Sequence, residues 1–369
     1  MSRQNYEPKP LFLERMKKLL GKDFDSYMEI LKVPVLKSIR CNTLKISPED
    51  LKKRLEKKGW KIKPPFKDYP EIMIVEGKWE NSVNNNDELK TNKMSDKVDD
   101  KLIKKRGDNK LLSLRGGWGE DNSPNNLIEL APGEIGRALE HLLGYYYMQE
   151  TASMLPPLVL NPTSKDKVLD LCASPGSKTT QISARMENRG LLVANEVKFG
   201  RIKILAANIE RCGVMNVIMT RRDGIALCKR FKNENFLFDK ILLDAPCSGE
   251  GTIRSTPRTL EMWNPKTIEN LSKLQKSLIA SAIEVLKPNG EIIYSTCTHA
   301  PEEDEEVVDF ALKNFDVKVE KINLPLKTRP GITNWENKKY SKEVKLTHRI
   351  YPQDENTEGF FIAKLKKIK

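Results

Sequence analysis

"KVLDLCASPGSKTTQISARM", residues 167–186, holds a strand, a turn and the start of a helix in one stretch. The apolar run reads as a buried strand with Asp170 at its tip. Gly176 sits in the turn, and helical spacing begins just after it. The same alternation continues through "LLVANE" (191–196), "NVIMT" (216–220), "KILLDA" (240–245) and "EIIYSTC" (291–297). Helical stretches separate these runs, including "GRIKILAANIERC" (200–212) and a long one from Pro265 to Leu286. Strand–helix alternation of this kind predicts an α/β fold with a mostly parallel sheet covered on both faces. Ligands of such sheets bind beyond the carboxyl ends of the strands.

The turn at Gly176 is not a phosphate cradle. A P-loop needs G-x-x-x-x-G-K-[ST], and the dinucleotide loop needs G-x-G-x-x-G. Here Leu171 replaces the earlier P-loop glycine, and Ser177 separates Gly176 from Lys178. Acids nevertheless recur at strand ends: Asp170, Glu196 twenty-six residues later, and Asp223 in "RRDG". A carboxylate after the second strand suits the hydroxyls of a ribose, and Asp223 suits an adenine amino group. Any one of these acids also reads as a helix cap. Three in register behind a glycine turn point to a nucleoside without a polyphosphate, and S-adenosylmethionine fits that description.

Two later strands end in cysteine. "LLDAPCSGEGTIR" (242–254) carries Cys247, and "YSTCTHAPEEDEE" (294–306) carries Cys297. Adjacent strands with similar turns bring both thiols to the cofactor edge. Methylation of carbon 5 of a pyrimidine asks for this. That carbon is a poor nucleophile until a thiolate adds to carbon 6, and a second thiol helps the product leave. The residues alone do not order the two cysteines. Asp244 suits the cytosine amino group and ring nitrogen, and Lys178 the carbonyl. Cys41, Cys212 and Cys228 read as small buried hydrophobes. The acids of "PEEDEE" (301–306) read as the first turn of the next helix, matched to its dipole.

The 369 residues allow two domains, and a formal charge of +13 favours a phosphate-rich partner. The six cysteines and three histidines show no zinc spacing, so no metal is expected. No apolar run approaches a membrane span, and unpaired cysteines suit a cytoplasmic protein; a monomer is expected. Residues 1–80 read as an N-terminal α+β domain contacting RNA, its first 65 residues holding 17 Lys and Arg against 8 Asp and Glu. "SIRCNTLKI" (38–46) alternates like a strand, and "SPEDLKKRLEKKGW" (47–60) opens with a capping serine and a proline. Residues 81–129, Asn-rich and polar, read as a flexible charged insertion. The catalytic domain is expected over 130–369.

"DLCASPGSKTTQ" (170–181), "DAPCSGEG" (244–251) and "YSTCT" (294–298) resemble the NOL/NOP/SUN family of RNA 5-methylcytosine methyltransferases. The resemblance runs from "IRCNTLK" at 39 to "EGFFIAKLKK" at the end, and includes "LEHLLGYYYMQETASMLPPL" (139–158). It implies a Rossmann-like class I methyltransferase fold with a smaller N-terminal RNA-binding domain. It implies Cys297 as nucleophile and Cys247 as the thiol that assists release. It implies S-adenosylmethionine held by Cys172, Ala173, Ser174, Pro175, Gly176, Ser177, Lys178, Glu196, Arg201, Asp223 and Asp244, with rRNA or tRNA as substrate. Ser177 departs from the second glycine of the common turn. Some bacterial relatives carry a further RNA-binding domain after the "GFF" strand, so target choice here is expected to rest on the N-terminal domain, the insertion or a partner. A non-catalytic RNA-binding factor and a DNA cytosine methyltransferase are the competing readings. Intact Cys247 and Cys297 oppose the first, and the DNA enzymes, which use the Pro-Cys thiol, need no second Thr-Cys.

Overall fold

The computed structural model describes residues 6–80 and 126–369. A first sheet joins β1 (Ser38–Cys41), β2 (Trp60–Lys63), β3 (Ile72–Trp79), β4 (Leu127–Ile128) and β5 (Tyr146–Met148). Its order is β2–β3–β1–β5 with β4 also on β3, and every pair is antiparallel. The helix Pro48–Glu56 covers it through Leu51 and Leu55. Ser47 caps this helix, accepting from Asp50 N at 3.1 Å, as the serine–proline start predicts.

Three expectations change here. The insertion read over 81–129 lies outside the described residues as far as 125, but Leu127 and Ile128 pair with Trp79 and Lys78. Since β5 pairs with β1, residues 127–148 complete the first sheet, and the unit expected from 130 begins near 150. The helices Pro10–Leu20 and Phe24–Ile30 do not join that sheet. Their apolar faces need an apolar partner, and Phe12, Met16 and Tyr27 find it in Trp263, Ile268 and Tyr351. The strand expected over 38–46 stops at Cys41 because Asn42 turns out of the ladder. Its Nδ2 donates to Gly144 O and Cys212 O, both at 2.8 Å.

The second sheet contains β6 (Lys167–Asp170), β7 (Leu191–Asn195), β8 (Val217–Thr220), β9 (Phe238–Asp244) and β10 (Leu286–Thr296), all mutually parallel in the order β10–β9–β6–β7–β8. The winding direction reverses between β6 and β9, which opens a crevice at their carboxyl ends. Beyond β10 the sheet turns antiparallel. β11 (Val317–Glu320), β12 (Arg329–Pro330), β15 (His348–Ile350) and β16 (Phe360–Lys367) extend it, and β13 (Asn334–Trp335) with β14 (Lys338–Lys339) forms a separate hairpin. Alternate residues of one strand enter opposite cores. Ile241 and Leu243 meet the helices Pro265–Glu284 and Glu305–Asn314, while Leu242 meets Leu155, Leu158 and Ile182. Both faces are therefore buried from β10 to β7, which explains why those strands read as continuous apolar runs, while the edge strand β8 leaves Ile218 and Met219 exposed.

Of the acidic run after Cys297, only Glu305 and Glu306 stand in the first turn of the next helix, as expected. The helix starts only at Glu305, so its N-terminus does not adjoin Cys297, and Glu303, Asp304 and Glu305 are fully buried. Arg349, itself buried, pairs with Glu305 through two nitrogens and with Asp304 at 3.5 Å. Thr296 Oγ1 donates to Asp304 at 2.6 Å, tying the end of β10 to the same cluster. Arg349→Ala leaves two carboxylates buried without their cation. Its unfolding free energy in urea should fall by about 3–5 kcal/mol, and a change under 1 kcal/mol would show the cluster to be incidental.

Candidate active site

Each strand end delivers one group to the crevice. At the end of β6, Asp170 is buried. Its Oδ2 accepts from Thr179 Oγ1 at 2.7 Å, and its Oδ1 has no partner. Burial raises its pKa to about 7. The turn that follows folds back on itself: Ala173 N donates to Asn195 O and Gly176 N to Ala173 O, both at 2.8 Å. Gly176 has φ +101°, and a Cβ there would stand 3.0 Å from Leu205 Cδ1. Glycine is thus favoured by conformation, and a side chain there would press on Leu205. Ser174 and Arg201 lock together. Ser174 Oγ donates to Arg201 O at 2.9 Å, and Arg201 Nη2 donates to Ser174 O at 2.5 Å. Burial pushes the Cys172 thiol well up, so it stays protonated.

Glu196 follows β7, is buried, and meets Arg201 Nη1 at 3.4 Å and Lys198 N at 2.8 Å. Asp223 is exposed beyond β8 and caps the helix Gly224–Asn233, its Oδ1 accepting from Ile225 N at 3.1 Å and Ala226 N at 3.0 Å. The capping explanation therefore applies to Asp223 and not to Glu196. Lys178 and Asp244 form a pair at 2.8 Å, with Lys178 Nζ also donating to Ser153 Oγ at 2.9 Å and lying 5.3 Å from the Phe360 ring centroid. The other oxygen of Asp244 accepts from Ser295 Oγ at 2.8 Å, across the register pair of β9 and β10.

Just beyond that pair the two thiols meet. Cys247 Sγ and Cys297 Sγ stand 3.3 Å apart. The shared hydrogen bond and burial push the Cys247 thiol well above the ordinary thiol range. The loops are bolted from behind. Ser248 Oγ and Thr298 Oγ1 are 2.7 Å apart, Gly251 N donates to Cys297 O at 2.9 Å, and Glu303 Oε2 accepts from Ser248 N at 3.0 Å and Gln275 Nε2 at 2.8 Å. Gln275 Nε2 also donates to Pro246 O at 2.8 Å. His299 is buried, stacked on Tyr351 at 5.0 Å, and burial beside Arg349 lowers its pKa to about 3. It is neutral at ordinary pH and packs rather than titrates.

Residues 157–366 match the family described as 16S rRNA methyltransferase RsmB/F, and residues 9–66 match the N-terminal domain of 16S rRNA methyltransferase RsmF. A tRNA (cytosine(49)-C(5))-methyltransferase of Pyrococcus abyssi is 48% identical over 63% of this chain and 73% of its own. The chain belongs to the NOL/NOP/SUN family of RNA 5-methylcytosine methyltransferases. Ribosomal RNA small subunit methyltransferase F of Vibrio parahaemolyticus is 35% identical over 96% of this chain, which spans 62% of that relative's length. A methyltransferase homologue from Pyrococcus horikoshii superposes with TM-score 0.73 at 32% identity, covering 98% of this chain and 95% of its own. NSun6 from the same organism, solved with SFG, gives 0.73 at 27% identity and covers 98% of both chains.

S-adenosylmethionine is the cofactor of this family, and the residues present fit it. The crevice offers Asp170, with an unpartnered buried oxygen, and Glu196, Asp223 and Asp244. Carboxylates of that number suit a cationic sulfonium nucleoside and would repel a polyphosphate. Residues 172–178 form the turn beneath, with the glycine that permits close approach.

The sequence reading missed the groups behind the site. Arg40 carries part of the N-terminal basic surplus, yet it is buried. It donates to Gln149 Oε1, to Ser177 O at 2.6 Å and to Thr180 Oγ1 at 2.7 Å. Gln149 in turn holds Ser153 O at 3.0 Å, and Ser153 holds Lys178. A chain of bonds thus runs from the first sheet to the Lys178–Asp244 pair. Only the position of Arg40 within the resembling "IRCNTLK" segment hinted at more than surface charge.

Burial raises the Glu303 carboxyl to about 7. An acid raised in the folded state binds its proton there while the unfolded chain has already released it. Its stabilising contribution is therefore fully present below about pH 4.5 and is lost as pH rises toward 7. Glu303→Gln keeps the shape and cannot ionise. Between pH 5 and pH 8 its stability should gain on wild type by up to about 3 kcal/mol in parallel urea titrations. Parallel pH profiles of the two proteins would show that Glu303 is ionised at low cost.

Proposed function

We propose that the protein transfers a methyl group from S-adenosylmethionine to carbon 5 of a cytosine in ribosomal or transfer RNA, through a covalent bond from Cys297 to carbon 6. The observation that carries this reading is the 3.3 Å separation of two sulfurs at the ends of adjacent parallel strands, next to the Lys178–Asp244 pair. An enzyme needing one thiol has no use for a second in contact with it.

The target cytosine must be unpaired or flipped out, because carbon 6 is inaccessible within a duplex. Asp244 accepts from its amino group, and Lys178 donates to its carbonyl oxygen. This placement draws electron density from the ring as the Cys297 thiolate adds to carbon 6. When bound, the cofactor supplies an electrophilic methyl group. Carbon 5, now enamine-like, would take that methyl group as the sulfonium carbon–sulfur bond breaks to leave a neutral thioether, and its hydrogen would then pass as a proton to solvent water. Elimination of Cys297 restores the double bond. Cys247, whose raised pKa keeps it protonated, is placed to give its proton to the departing sulfur. The buried bracket of Glu303 and Gln275 holds its loop in position for this. Glu196 and the turn 172–178 orient the nucleoside, and Arg201 steadies both.

The two thiols are separable by experiment. Cys297→Ala should form no bond to RNA and should be inactive. Cys247→Ala should attack and methylate, then stall as a protein–RNA adduct that survives denaturing electrophoresis and requires S-adenosylmethionine. The double variant should give none. An adduct with Cys297→Ala and none with Cys247→Ala would exchange the roles and favour the DNA-type mechanism. Full methylation without an adduct in either variant would sink the covalent step.

A further inference from the structure

We propose that the carboxyl ends of β7 and β8 carry a phosphate-binding surface for the RNA strand that flanks the target base. Lys198, Arg201 and Lys203 follow β7, Arg221 and Arg222 follow β8, and all are exposed. Arg201 pairs with Glu196. Among the described residues Lys198, Lys203, Arg221 and Arg222 have no carboxylate partner. Cations of the N-terminal surplus behave differently. Lys37, Lys52 and Lys61 meet Glu129, Glu56 and Glu76, while Arg54 and Lys58 both pair with the buried Glu140. Part of the charge that pointed to RNA in the N-terminal domain is thus answered within the protein, whereas the cluster at the ends of β7 and β8 is not.

Like charges left unpaired should spread apart. Here Phe199, 58% exposed, gathers them. Lys203 Nζ lies 4.4 Å from its ring centroid and Arg221 Cζ 5.3 Å. A cluster of cations gathered in this way fits a polyanion. Its place selects which one. β8, β7, β6, β9 and β10 are successive neighbours, so at about 4.8 Å per strand the cluster lies roughly 19 Å from Cys297 along the same edge. At about 3.4 Å per phosphate along a strand, that is within about six nucleotides of the target. A membrane surface or an acidic protein has no reason to share that edge with the thiols.

The inference rests on RNA being the substrate, and the test keeps the two apart. The full chain is titrated with a fluorescent single-stranded oligoribonucleotide of mixed sequence over a series of salt concentrations. Lys198→Ala, Lys203→Ala and Arg221→Ala are combined in one variant. The slope of log affinity against log salt should become shallower by about two, at about 0.7 per lost phosphate contact. Melting temperature and S-adenosylmethionine affinity should be unchanged, since all three side chains are exposed. The hairpin-side triple Lys339→Ala, Lys342→Ala and Lys345→Ala should leave the slope alone. An unchanged slope in the first variant, or an equal change in the second, would overturn this surface while leaving the proposed activity standing. A wild-type protein that binds no oligoribonucleotide would overturn both.

Discussion

One buried carboxylate, that of Glu303, keeps two strand-end loops in the relation on which the site depends. Neighbouring strands bring their ends to within about 5 Å, but loops at such ends are free to splay. Glu303 Oε2 accepts from the Ser248 amide and from Gln275, and Gln275 donates to the Pro246 carbonyl. The loop bearing Cys247 is thereby fastened to the turn that follows Cys297. Tyr294 OH donates to Glu303 O at 2.5 Å, which fixes that turn to β10. Burying so many acids is costly in isolation. Arg349 and the fixed donors around them offset the cost, and what results is a thiol pair that need not reorganise when substrate arrives.

The second constraint is the coupling between sheets. Lys178 belongs to the helix Ser177–Arg185, Asp244 to β9 and Ser153 to the segment entering the second sheet. Arg40 reaches this group from the first sheet through Gln149, and holds the first turn of that helix directly through Ser177 O. The first sheet and the geometry of the Lys178–Asp244 pair are linked by bonds between named residues.

Much of this was legible in the sequence, and for physical reasons. Four of the five parallel strands are buried on both faces, so their apolar runs stand out against the helices between them. Strand-end residues such as Asp170, Glu196, Cys247 and Cys297 follow directly, because the fold places every strand end on one edge. The roles of acids were harder to read. "PEEDEE" has the composition of a helix start, but local composition carries no record of Arg349, Ser248 or Gln275, all far away in sequence. Asp223 shows the reverse, a strand-end acid whose first task is a cap. The domain edges were missed because β4 and β5 are short and join the first sheet only through long-range pairing. Arg40 looked like surface charge because burial of one arginine leaves no periodic signal.

The covalent assignment is tested most directly with wild-type protein and an RNA substrate carrying 5-fluorocytidine at the target. Fluorine cannot leave carbon 5 as a cation, so after methyl transfer the ring should stay bonded to the attacking sulfur. Digestion of the trapped complex and peptide mass spectrometry then identify that sulfur. The account predicts a methylated nucleotide on the peptide that contains Cys297, formed only with S-adenosylmethionine. The same nucleotide on the peptide that contains Cys247 would contradict it.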